Sequence, residues 1–354
     1  MTLSLKKRGN WFINLLIMAK RCLIILCVAI AIFGAIRGIE TIEARADSSA
    51  EIAMELTTGT VLTEHNADIK LPMASTTKIM TAIIIIEDCV LDEIITVPDA
   101  AVGAEGSSIY LKKNEEISVI DLLYGLMLRS GNDAAAALAI HHSGSIEKFA
   151  KQMNEKAMEL GAENTNFTNP SGLPDSDHFT TATDLCKIAC HAMKNETFRK
   201  IVATKNYTGN FKSFTNKNKM LYNYDGANGV KTGYTQKAGR CLVSSAQRDG
   251  MDVICVVLNC PDMYGRSEKI LDDCFNAYKL INIDGNSVFM SGKVLCKPSK
   301  AINFVAKSAK KLNFKVKPLD NLKNIKSGDF VAVLEIYSEN DLILSENLYS
   351  IIDR

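Results

Sequence analysis

Residues from Ala50 to Leu56 and from Thr60 to Thr63 read as two short strands around the turn Thr57-Thr58-Gly59, a pattern that predicts a hairpin. From Thr76 to Glu87 the apolar positions close up into a helix with a Ser-x-x-Lys pair in its first turn. Val119 to Arg129 has helical spacing, with Ser118 as N-cap and Asp121 in the first turn. It stops at Ser130-Gly131-Asn132, and the alanine-rich stretch Asp133 to His141 predicts a central, buried helix. Ser145 to Leu160 and Thr181 to Met193 give two more helices, separated by a loop, Glu163 to Phe179, dense in Asn, Pro, Gly and Asp. Three strands follow, Gly229 to Thr235, Arg240 to Gln247 and Asp252 to Asn259, and then a helix from Arg266 to Leu280.

Strands, helices, then strands and a helix predict an α+β layout with helices packed on an antiparallel sheet. Beyond Asp284-Gly285-Asn286, which reads as a linker turn, the pattern changes. Ala301 to Val305, Asn313 to Val316, Phe330 to Ile336 and Leu342 to Leu348 predict a small all-β C-terminal domain spanning 285–354, with Ser338-Glu339-Asn340-Asp341 as a hairpin turn. The preceding domain spans 47–284. The first 46 residues stand apart. Lys6, Lys7, Arg8, Lys20 and Arg21 precede an uncharged apolar run from Cys22 to Ile36, and Ala44-Arg45-Ala46 follows. That order predicts a signal peptide cleaved before Asp47, the alternative being an uncleaved anchor, and places the remainder outside the cytoplasm.

Without that segment the chain holds 34 basic and 38 acidic residues, so nucleic acid is not an expected partner. Residues 285–354 carry 11 basic and 7 acidic side chains, a balance that suits contact with an anionic wall or membrane surface, or a solvated face. The cysteines show neither Cys-x-x-Cys nor zinc-ligand spacing, so no metal site and no cofactor are expected. Cys186 and Cys190 read as buried thiols on an amphipathic helix.

The chemistry sits in three motifs: Ser75-Thr76-Thr77-Lys78, Ser130-Gly131-Asn132 and Lys231-Thr232-Gly233. Singly they read as an N-cap, a turn and a strand lysine; in this order they describe a serine acyl-transfer site. A serine hydroxyl needs a neighbouring base, and Lys78, three residues on, shares a helix face with Ser75. The amine must be neutral to act, which burial beside a second cation, Lys231, would achieve. Ser75 N–H at the helix start suits half of an oxyanion hole, and the strand of Lys231-Thr232-Gly233 can supply the rest. Gly233 would let substrate approach that strand closely. Ser130 can pass a proton to the leaving amine, and Asn132 can hold a substrate amide.

These motifs, with Pro72-Met73-Ala74 before Ser75, Leu128-Arg129 before Ser130 and Asn169-Pro170-Ser171-Gly172-Leu173-Pro174, resemble the low-molecular-weight penicillin-binding proteins of the serine D-alanyl-D-alanine carboxypeptidase kind. The likeness covers about residues 50–280 and implies a β-lactamase/transpeptidase-like fold. It implies removal of the terminal D-alanine from peptidoglycan pentapeptide stems through an acyl-serine, with β-lactams acylating the same serine. By position Ser75 is then the nucleophile, Lys78 the proton acceptor and Ser130 its partner. Asn132, Lys231, Thr232 and Gly233 would bind substrate, Tyr234 would add a backbone N–H where many relatives have histidine, and Arg266 would contact the substrate carboxylate. Many relatives end in an amphipathic membrane-binding helix, a pattern missing from this sequence, so with a cleaved signal, membrane attachment is expected to come from elsewhere or to be absent. A class A β-lactamase is disfavoured, because Gly131 replaces the aspartate of Ser-Asp-Asn and the loop Glu163-Asn164-Thr165-Asn166-Phe167 lacks the deacylating Glu-x-x-Leu-Asn. A D,D-endopeptidase on peptidoglycan crosslinks, or a non-catalytic β-lactam-sensing wall protein, are the remaining alternatives.

Overall fold

The computed structural model describes residues 49–307, 310–320 and 322–353. The expected signal segment lies outside the described residues. A five-stranded antiparallel sheet forms the centre, in the order β2-β1-β9-β8-β7. Its strands are β1 (Ala50–Glu55), β2 (Val61–His65), β7 (Ala227–Thr235), β8 (Gly239–Arg248) and β9 (Met251–Leu258). Every residue of β1 and β9 is buried, because helices cover both faces of the middle of the sheet. Side chains of Ile52, Val243, Val256 and Val230 join a large core on one face, and Ala53, Leu242 and Val257 join a second core on the other.

The first face carries α1 (Lys78–Asp88), α2 (Val119–Tyr124), α3 (Asn132–Ser143), α4 (Ile146–Glu159), α5 (Ala182–Lys194) and α6 (Glu196–Ala203). Ala135, Ala137 and Ala139 of α3 are fully buried, and their small side chains let α3 occupy the middle of the helical layer. Phe149, Phe167 and Phe198 fill the space around it, each contributing about 1.5–3 kcal/mol by burial. The expected cap forms, with Ser118 accepting from Asp121 N, and Ser145 and Thr181 also act as caps, accepting from Lys148 N and Asp184 N. Cys186 is fully buried and Cys190 nearly so, as the spacing predicts. Two small hairpins, β3 (Ile94–Thr96) with β4 (Glu116–Ser118) and β5 (Asn206–Thr208) with β6 (Ser213–Thr215), edge the helical layer, and the short α7 (Met220–Asn223) leads into β7. The other face is covered by α8 (Met263–Ala277).

Two expectations change at the ends of helices. The one from Arg266 to Leu280 starts earlier, at Met263, and stops at Ala277, since Asp262 caps it through Gly265 N. Tyr278 to Ile283 is instead a strand, β10, whose period-two pattern was absorbed into the helix reading. It pairs with β13 (Ile302–Lys307), and Ile281 and Ile283 pack on the C-terminal core. The all-β region therefore begins at Tyr278, not Gly285, and Asp284-Gly285-Asn286 lies inside it as a turn between β10 and the following strands. That region also contains a second sheet, ordered β11-β12-β16-β15-β14, built from β11 (Phe289–Ser291), β12 (Val294–Pro298), β14 (Leu312–Pro318), β15 (Phe330–Ser338) and β16 (Asp341–Ser350).

Candidate active site

Ser75 sits in a single 3-10 turn, Ala74–Thr77, that precedes α1, where a plain α-helix was expected. The tighter winding nearly eclipses residues three apart, which brings Lys78 over Ser75 better than an α-turn does. Lys78 Nζ lies 3.0 Å from Ser75 Oγ. It lies 2.7 Å from Asn132 Oδ1 and 2.5 Å from the carbonyl of Ser171. Asn132 Nδ2 donates to the Glu105 carbonyl at 2.5 Å, so its oxygen must face the lysine. Two of the three contacts are then pure acceptors. A neutral amine has two N–H bonds and one lone pair; the acceptors take both N–H bonds, and the lone pair is left for the Ser75 hydroxyl.

Electrostatics favours that neutral form. Lys78 is fully buried, and burial first, then the nearby Lys231 and Lys217 charges, hold its amine well below the ordinary lysine range against a smaller opposing effect of Asp133. Lys231 on β7 is 2% exposed and is pushed down to about 7, by burial first and by Lys217 second. Its ammonium donates to the Thr232 carbonyl at 2.9 Å.

The second motif follows a break in regular helix. After α2 the chain widens into a π-turn, Gly125–Arg129, and Ser130 adopts a left-handed backbone at φ 65°. The sequence, read as one continuous helix, gave no sign of the π-turn, a geometry common at functional sites. Asn132 then opens α3 with its N–H on the Ser107 carbonyl at 2.7 Å. Asp133 accepts from Ile109 N, Leu111 N and Ser108 Oγ, fixing the loop that follows Ser107. Asn132 was expected to hold a substrate amide; in this structure both ends of its side chain are engaged in orienting Lys78.

Gly233 also acquires a different reason. A side chain there would come within 3.1 Å of Met73 O and Ser75 N, so glycine allows the edge strand β7 to lie against the nucleophile turn itself. Tyr234, 65% exposed, and Thr235 line a cleft of about 470 Å³ with Ser75, Asn132, Glu105 and Leu173. Thr232 points to the sheet face opposite Lys231, because neighbours along a strand alternate.

Arg266 is not brought to Lys231. It lies in the first turn of α8 and pairs bidentately with Glu51 of β1, on the sheet face that Lys231 does not share. In this structure its guanidinium pairs with Glu51, and its side chain stays 40% exposed. Arg266→Ala is accordingly expected to lower stability by about 1–2 kcal/mol in denaturant titrations while changing turnover per folded molecule less than threefold. A selective loss on substrates with a free carboxylate would return Arg266 to the site.

The sequence did not single out three supporting groups. The Asn169 side chain accepts from Ser171, Gly172 and Leu173 N–H groups and so aims the Ser171 carbonyl at Lys78. Thr81 Oγ1 donates to the Pro170 carbonyl at 2.7 Å. His178, 3% exposed, accepts from Thr168 N at Nδ1 and therefore donates from Nε2 to Thr77 Oγ1 at 2.8 Å, which passes on to Ala74 O. Burial, with a smaller push from Lys78, holds this imidazole down to about 4, so it is neutral at neutral pH. The chain of bonds ends on Ala74, which is held at φ 49° directly before Ser75.

The arrangement is a cleft serine beside a buried lysine, with a second lysine and a conforming strand edge, and residues 39–262 match the family described as D-alanyl-D-alanine carboxypeptidase. The chain belongs to that family. It is 36% identical over 255 residues to D-alanyl-D-alanine carboxypeptidase DacF of Bacillus subtilis, covering 68% of this chain and 66% of that one. It is 34% identical over 308 residues to DacC of Escherichia coli, covering 81% and 76%. Penicillin-binding protein 5 of Haemophilus influenzae superposes with a TM-score of 0.75 at 27% identity, over 86% of this chain and 96% of that one. The family is one of serine-type, peptidoglycan-acting hydrolases, and the catalytic fold is the β-lactamase/transpeptidase-like one expected from the motifs.

Proposed function

We propose that this chain releases the terminal D-alanine from peptidoglycan stem pentapeptides, with Ser75 as nucleophile. The observation that carries the reading is the Lys78 amine, whose two N–H bonds are taken by Asn132 and Ser171 and whose lone pair faces Ser75 Oγ. Ser75 gives its proton to Lys78, and Oγ bonds to the carbonyl carbon of the penultimate D-alanine. The Ser75 and Tyr234 N–H groups face the developing oxyanion. The C–N bond then breaks, Ser130 passes the proton to the leaving amine, and free D-alanine departs. Water attacks the ester, its proton again taken by Lys78, and Ser75–OH is restored with the shortened stem. A β-lactam enters the first half of this cycle and leaves Ser75 acylated.

Lys231, with Lys217 beside it, would hold the terminal carboxylate. Lys217 reaches this position because its N–H donates to the Leu128 carbonyl at 3.1 Å, just before Arg129 and Ser130. The sign of the pH dependence follows. Lys231 is charged below its lowered value near 7 and loses its proton above it. For a carboxylate substrate, kcat/KM should therefore fall on the alkaline side with a limb near pH 7, and fall on the acid side as Lys78 becomes protonated. Lys231→Arg, which stays charged, should remove the alkaline limb when D-alanine release from a pentapeptide is followed across pH. An alkaline limb unchanged in Lys231→Arg contradicts the assignment.

We place this activity outside the cytoplasm, with residues 1–46 as the export segment. No helix among the described residues is long and apolar enough to cross a membrane. The basic C-terminal region can contact the wall or membrane surface, and none of the site residues named here belongs to it. A chain ending at Asp284 is expected to keep D-alanine release but to aggregate, since Ile281 and Ile283 lose the cover of β13. Replacing both with Thr should restore solubility. A soluble, folded truncation without turnover would overturn the separation.

A further inference from the structure

Two clefts lie on either side of the loop Glu105 to Tyr110. One, described above, contains Ser75 and runs along Tyr234 to Lys237, past Leu173 and Pro174. The other, of about 510 Å³, lies between the loop at Ser108 to Tyr110 and the hairpin at Phe211 to Thr215, with Arg129 on its wall. That loop is their partition: the Ser107 carbonyl accepts from Asn132 N, and Ser108 Oγ donates to Asp133 while accepting from Tyr110 N.

The second cleft has a distinct chemistry. Lys212 crosses it, bonding Glu115 at 3.0 Å and the Ile109 carbonyl at 3.3 Å, so its charge is already matched and the walls are tied together. Arg129 has no carboxylate partner among the described residues. It stands close enough to Lys217 to lower that ammonium, and Lys217 in turn acts on Lys231. The Lys217 N–H donates to the Leu128 carbonyl at 3.1 Å, which sets Arg129 and its cleft on the Lys217 side of the site, away from Tyr234 to Lys237. Tyr110, 81% exposed, and Phe211, 40% exposed, offer apolar surface beside Arg129.

The direction identifies the occupant. A peptide lying along β7 has its acyl part beside Tyr234 to Lys237, and its terminal carboxylate beside Lys231 and Lys217. The leaving residue's side chain then extends toward Arg129. We infer that the Arg129 cleft is a second peptide subsite, which takes a carboxylate-bearing side chain on the leaving-group side of the scissile bond. This rests on the carboxypeptidase reading above. In the family reaction the leaving residue is D-alanine, whose methyl group leaves this cleft unfilled, so the subsite extends the range of leaving residues to acidic ones.

The experiment compares three peptides that differ in the last residue alone, ending in D-Ala-D-Ala, D-Ala-D-Glu and D-Ala-D-Gln. The two longer residues have the same shape and differ in charge. The wild type should cleave the D-Glu peptide at least tenfold more efficiently than the D-Gln peptide, the range of one charge-assisted hydrogen bond. Arg129→Gln should erase that preference, read as the ratio of D-Glu to D-Gln cleavage within each variant, and Arg129→Glu should reverse it. Equal cleavage of D-Glu and D-Gln peptides by the wild type overturns the subsite. So does an equal loss on all three peptides in both variants, which would make Arg129 a support for the Ser130 turn. If the wild type releases nothing even from D-Ala-D-Ala, the carboxypeptidase reading fails instead.

Discussion

Lys78→Met is expected to lower the rate of acylation by a β-lactam about 10²–10⁴-fold and to leave the protein folded, because the general base is lost while the shape is kept. Methionine matches the length of the lysine stem and needs no charge in a site that is fully buried. Two acceptors, Asn132 Oδ1 and Ser171 O, lose a donor, at about 1–3 kcal/mol each if neither finds another. Against this stands the relief of burying an ionisable amine, so the net change in stability should be small beside the catalytic loss. The rate of penicillin adduct formation, followed by mass, and the melting temperature give the two quantities separately. A variant that acylates at the wild-type rate would remove Lys78 from the chemistry.

Gly172→Ala should be almost as damaging, although it touches neither the serine nor the lysine. Gly172 has φ +84°, and a Cβ there would stand 1.9 Å from Ala74 O and 2.9 Å from Thr77 Oγ1. Backbone cannot yield at that distance without displacing the turn that carries Ser75. A shift of about 1 Å in a reacting group costs roughly 10²-fold. Gly161→Ala is the control, because Gly161 has φ +70° with open space around its Cβ position. It should lose about 1–2 kcal/mol of stability from backbone strain alone and keep its acylation rate. Equal acylation by Gly172→Ala and Gly161→Ala would show that the contact with Ala74 does not position the nucleophile.

These two predictions mark what the sequence displays and what it conceals. Ser75, Lys78 and Lys231 were legible because they combine chemistry with short-range spacing, and the structure brings the three together. The helical layer and the sheet were legible because their apolar periods are strong. The role of Asn132 was read from residue type, and its place beside Lys78 comes from a tertiary contact across 54 residues. Ser171 contributes through a backbone carbonyl, which any residue type has, so its identity carries no signal. The Asn-Pro-Ser-Gly run was visible, but only the fold shows that Gly172 exists to let one backbone approach another. The pairing of Arg266 was hidden for a different reason: its carboxylate partner, Glu51, lies 215 positions away in the chain. Likewise β10 was hidden because Tyr278 to Ile283 continues a helical apolar pattern and reveals its period of two only against β13.

In the proposed mechanism the neutral, oriented lysine prepares Ser75 for acylation, and peptide mapping after treatment with benzylpenicillin tests that most directly. The adduct should lie on the peptide that contains Ser75, form fastest in the wild type, slow in Lys78→Met and be absent in Ser75→Ala. An adduct on any other residue, or one that persists in Ser75→Ala, would contradict the account.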